Sequence, residues 1–78
     1  MLHKVKVEPV NDGWLMRNGA AAPLKFDTRD QALWSAGKVG ESVAEAGLPA
    51  EIEVVDRAGH VAGRFIYAPA RHDLELAD

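Results

Sequence analysis

His3, His60 and His72 are the only imidazoles in the chain, and Ser35 and Ser42 are its only serines. No two of the histidines stand at the i,i+4 spacing that puts two metal ligands on one helix face. The chain has no cysteine, which excludes a thiolate-bound zinc and any disulfide. A histidine metal site would need residues far apart in the chain to converge on the C-terminal end, and three exposed imidazoles explain the pattern without it. Asp56 to Gly59 has the look of a calcium-loop start but lacks the alternating oxygen ligands and the closing glutamate. "GKVGES", residues 37 to 42, contains Gly-Lys but lies within a helical pattern and lacks the spacing and preceding strand of a phosphate-binding loop. Both serines fall on the same helix with no base beside them, and a serine hydrolase would need a larger scaffold for its oxyanion hole and pocket. No catalytic residue, cofactor site or metal site is therefore expected.

Trp34 and the polar phase of the strands remain as surfaces that could bind. On a helical wheel Trp34 lies away from the apolar stripe, among Asp30, Lys38, Glu41 and Glu45. An aromatic there is expected to be exposed, either as part of a partner interface or as a lone surface ring shielded by neighbouring side-chain stems. The strand phase opposite the expected core carries Lys4, Lys6, Leu15, Arg17, Lys25, Val55, Arg64 and Ile66. Three readings are open. Leu15, Val55 and Ile66 could bury themselves in a homomeric interface with charges at the rim. Lys4, Lys6, Arg17 and Arg64 could track the phosphates of a DNA duplex. A solvated face with scattered apolar residues needs no partner at all. Glu8, Glu51 and Glu53 share this phase and oppose nucleic acid, and the phase holds no aromatic on which single-stranded bases would stack.

The elements that must position these residues are short and well punctuated. "HKVKVEPV" alternates, with Val5 and Val7 on one phase and Lys4, Lys6 and Glu8 on the other, as a half-buried strand does. Pro9 marks an edge or a termination. Asn11-Asp12-Gly13 turns the chain; "WLMR" follows, and Asn18-Gly19 suits a two-residue type I′ loop. "AAPLKF" makes a third strand, placed at an edge or irregular by Pro23. The helix spans "DTRDQALWSAGKVGESVAEAG", opening on a Thr28–Gln31 capping box and closing on Gly47, Leu48 and Pro49. Ala36 and Gly40 at the centre of its apolar face predict a close approach of helix to sheet. "EIEVVDRAGHVAGRFIYA" is a second hairpin turning at Asp56 to Gly59, with Val61, Phe65 and Tyr67 on the core phase and Gly63 beneath the helix.

Three cues stand at fixed places: "GWLMR" opening the second strand, "FDTRDQAL" opening the helix, and "EIEVVDRAGHVAGRFIY" closing the domain. Over about residues 3 to 68 the chain resembles the small bacterial proteins grouped as domain of unknown function 2188. It departs from that pattern in a glycine-richer helix and an added tail. The resemblance implies an α+β fold and carries no established activity, so it lends no catalytic residues.

At 78 residues and 47% apolar, the chain suffices for one domain with a modest core. The net charge of −3 is concentrated in the last residues, where Asp73, Glu75 and Asp78 stand against Arg71, leaving the remainder close to neutral. No secretory signal pattern is visible at the N-terminus and no apolar run has membrane-spanning length, so a cytoplasmic protein without a membrane partner is expected. The expected fold is a single α+β domain over residues 1–70. An antiparallel sheet carries one helix on one face, in the order β-β-β-α-β-β, and an acidic mobile tail occupies residues 71–78. The expected core is Val5, Val7, Trp14, Met16, Phe26, Leu33, Ala36, Val39, Val43, Ile52, Val54, Val61 and Phe65. The expected function is a non-enzymatic interaction module, a homodimer or the partner of another protein through Trp34, Leu15, Val55 and Ile66. The alternative is a DNA-binding accessory domain using Lys4, Lys6, Arg17 and Arg64.

Overall fold

A computed structural model describes residues 2–69; the acidic C-terminal tail and its His72 lie outside that range. The chain runs β1 (His3–Val10), β2 (Gly13–Asn18), β3 (Leu24–Phe26), α1 (Arg29–Glu45), β4 (Ala50–Val55) and β5 (Val61–Tyr67). The element order is the expected one. The sheet is not purely antiparallel: its order is β3-β2-β1-β4-β5, and β1 pairs with β4 in parallel. The reason is the crossover. β1, β2 and β3 alternate in direction, and α1 then carries the chain back over the sheet. β4 therefore re-enters in the sense of β1 and takes its free edge, as a helical connection allows and a tight turn does not. β1 and β4 thus become interior strands. Pro9 sits beyond the last parallel pair, Val7 with Val54, so its missing N–H costs that ladder nothing.

The helix-side face holds the core: Val5 and Val7 of β1, Met16 of β2, Ile52 and Val54 of β4, and Ala32 and Ala36 of α1. Trp14, Phe26, Leu33, Val39 and Tyr67 pack at its margin. Two expected core residues are instead exposed. Phe65 faces the helix side yet is 52% exposed, and Val61 is 46% exposed. A bulge accounts for Val61: Val54 pairs with Gly63 but Val55 with Val61, so Ala62 is the extra residue that moves Val61 to the other phase.

Local signals position these elements. The Thr28 hydroxyl accepts from the Gln31 N–H, and the Gln31 side-chain oxygen accepts from the Thr28 N–H, completing the capping box. At the other end Gly47, at φ +90°, donates to the Ala44 carbonyl and Leu48 to that of Val43, the paired bonds of a Schellman motif. The Asn18-Gly19 turn is not type I′. Only Gly19 has positive φ and the Ala21 N–H closes onto the Asn18 carbonyl, so the positive-φ residue is confined to the first central position and the connection to β3 is longer.

Candidate interaction surfaces

The charged phase of the sheet is an ion-paired surface. Arg17 on β2 lies 2.5 Å from Glu8 on the neighbouring β1, and Lys6 lies 4.0 Å from the same carboxylate. Arg64 on β5 bridges Glu51 and Glu53 of β4, at 3.3 Å from each. Lys25 on β3 reaches Asp12 in the first turn at 2.6 Å. The strand register places these pairs: Arg64 is directly opposite Glu53 and diagonal to Glu51, and Arg17 is diagonal to Glu8, which lies opposite Leu15. Of the four cations singled out for DNA, Lys6, Arg17 and Arg64 are therefore held by carboxylates on their own chain. Lys4 makes no ion pair among the described residues. The Lys25 ammonium beside Asp12 holds that carboxyl below its ordinary range, chiefly through their hydrogen bond.

The apolar residues of this phase are unequal. Leu15 is half-buried and Val55 only 8% exposed, because β4 lies between β1 and β5 and Val55 pairs with Val61. Ile66, on the outermost strand, is 66% exposed. Val55 thus offers little contact surface, while Ile66 offers a large one.

Trp34 is 68% exposed on the helix, with the Lys38 ammonium 5.4 Å from its ring centre. It borders an open cleft of about 570 Å³ with Lys25, Phe26, Asp27, Asp30 and Gln31. Two smaller hollows lie between α1 and β5. One of about 150 Å³ is lined by Leu33, Gly37, Ile52, Phe65 and Tyr67; the other, of about 110 Å³, by Arg29, Leu33, Val54, Ala62, Gly63 and Phe65. Phe65 borders both. The helix centres on β1, β2 and β4 and meets β5 chiefly at Tyr67, leaving Phe65 uncovered.

The two edges of the sheet differ in how they are protected. β3 is a three-residue strand preceded by Pro23 and carrying the ion-paired Lys25. Shortness, proline and lysine are the usual guards against edge-to-edge pairing. β5 is seven residues long with no proline or lysine, and carries exposed apolar side chains on both faces, Phe65 on one and Ile66 on the other. The signal was present in "VAGRFIY", whose exposed phase has a single charge, but reading it required knowing that this strand lies outermost.

The residues weighed for chemistry are apart or structurally engaged. His3 is hydrogen-bonded to the Asn18 side chain. The Asp56 carboxylate accepts the Ala58 and His60 N–H groups, both at 2.9 Å, and so ties its own turn. Ser35 and Ser42 lie on α1 near His3 across an open hollow with Lys38 and Val39. No group of three His, Asp or Glu side chains is placed to hold a metal among the described residues, and no helix there is long and apolar enough to cross a membrane. Comparison with family models, curated proteins and solved structures finds no match to this chain.

Proposed function

We propose that this protein is a cytoplasmic, non-enzymatic interaction module that works by self-association. The observation that carries the reading is the β5 edge, which no other strand pairs among the described residues and where the exposed Phe65 and Ile66 lie together. An edge strand with free N–H and C=O groups is a ready template for another strand, and apolar side chains beside it make the pairing favourable in water. The likeness to domain of unknown function 2188 adds a fold expectation and no activity. The ion pairing of Lys6, Arg17 and Arg64 weighs against the duplex-binding alternative, because each cation would have to leave a carboxylate to take a phosphate.

Sedimentation velocity across a concentration series tests the proposal. A dimer is expected for the native chain and a monomer for Ile66→Lys, whose site is exposed enough to accept the charge without unfolding. A native chain that stays monomeric to high micromolar concentration overturns it.

A further inference from the structure

Resting on the self-association reading, we infer that the partner is a second copy whose β5 pairs antiparallel with this β5 about a two-fold axis through Phe65, joining the two sheets into one. The choice of a second copy follows from charge. The only charged side chain on β5 is Arg64, already neutralised by Glu51 and Glu53 of its own chain. β5 itself therefore offers no unpaired charge with which to select a charged foreign segment. It meets its own copy without net repulsion, provided the two arginines are not opposed.

The register follows from the same residues. In a two-fold antiparallel pair centred on residue k, residue i faces residue 2k − i of the other copy. Centring on Arg64 sets arginine directly against arginine, an unfavourable cross-strand pair. Centring on Ile66 draws Ala68 and Pro69 into the ladder, and proline brings no donor. Centring on Phe65 keeps Gly63 to Tyr67 of both copies within the ladder. Phe65 then faces Phe65 on the helix side, where each ring is half uncovered, and Arg64 faces Ile66 on the other side, stem against methyl groups. Nothing lies within 4 Å of the position a Gly63 side chain would take. That space, bordered by Ala62 and Phe65, is diagonal to the partner copy's aromatic ring, within reach for a cross-strand aromatic.

The absence of cysteine makes the test clean, because each introduced thiol is unique. Directly opposed residues in an antiparallel pair have Cα atoms about 5 Å apart, within disulfide range. A residue one position off the axis, such as Arg64 or Ile66, is offset two positions along the strand from its own copy, about 8 Å between Cα atoms and beyond that range. Under mild oxidation, Phe65→Cys is expected to form a disulfide-linked dimer. Arg64→Cys and Ile66→Cys are expected to link poorly alone but to each other when mixed, which tests the register with the Phe65 ring intact. Efficient self-linking of Arg64→Cys or Ile66→Cys overturns the register. A native dimer that is trapped by Trp34→Cys or Leu15→Cys and not by these variants overturns the β5 interface while leaving self-association standing. A monomeric native chain overturns both.

Discussion

The Tyr67 ring of β5 fills the space that a side chain at Gly40 of α1 would occupy: a Cβ there would come within 2.8 Å of the tyrosine Cδ1. Gly40 is buried and Tyr67 is the point where the helix meets the last strand. Glycine inside a helix costs about 1 kcal/mol relative to alanine, so Gly40→Ala would ordinarily stabilise. Here the methyl must displace an aromatic ring wedged between helix and sheet, and overpacking of this kind costs about 1–3 kcal/mol. Gly40→Ala is expected to lower stability in urea denaturation, and Gly40→Ala with Tyr67→Ala to lose less than the separate effects combined. A Gly40→Ala protein more stable than the native one would refute the wedge.

Met16 is the largest fully buried side chain, pairing with Val7 across β1 and β2. Met16→Ala is expected to cost about 2–5 kcal/mol, more than Trp14→Leu, because Trp14 stands at the core margin beside Phe26 and keeps part of its ring exposed. Chemical denaturation of the two variants gives the comparison; the reverse order would place the anchor of the core at Trp14.

That order differs from what residue size alone predicts, and the difference shows what was legible in the chain. Element identities, the Thr28 cap, the Gly47 terminus and the turn at Gly59 were readable because each is fixed by neighbours within a few residues. Trp34 was readable as exposed from the helical period. The partner of β4 was not, because pairing with β1 depends on which edge is free after α1 has crossed the sheet. The differences on β5 have separate causes. Val61 changed phase at a bulge, Phe65 is left half uncovered beside a hollow under the helix, and nothing comes within 4 Å of a side chain at Gly63. Gly40 was expected where the helix comes close to the sheet, and the neighbour found there is the Tyr67 ring.

Gly13 opens β2 with the Phe26 carbonyl oxygen 2.4 Å from where its Cβ would be. The close approach is of backbone to backbone, so no rotamer change relieves it. Gly13→Ala is expected to push β3 off the sheet edge and to destabilise by about 1–3 kcal/mol. Amide exchange should rise first at Leu24–Phe26. Protection of these amides equal to the native protein would show that the edge can yield without unpairing.

Asp12 and Lys25 link the first turn to the β3 edge. The lysine's hydrogen bond and charge lower the Asp12 pKa in the folded chain. A depressed carboxylate contributes stability above its unfolded pKa of about 3.9 and loses that contribution as pH falls through the folded value. The pair is solvent-exposed, so the effect on global stability is small, and no change is expected above about pH 5. The carboxyl carbon of Asp12, followed by NMR, should titrate below the free value and move up toward it in Lys25→Gln. A midpoint unaffected by that substitution would disprove the coupling.

Trp34 separates the two surfaces that could serve self-association. Its ring contacts the Lys38 ammonium in an exposed setting, where such a pair is worth about 0.5–1 kcal/mol. Trp34→Ala is accordingly expected to change monomer stability by no more than about that amount. Because the ring lies on α1 beside the β3 edge cleft, away from Phe65 and Ile66 on β5, it is also expected to leave the dimer constant unchanged. Sedimentation of Trp34→Ala beside Ile66→Lys makes the comparison direct. Loss of the dimer in the tryptophan variant and its persistence in the isoleucine variant would move the interface from the open strand edge to the helix.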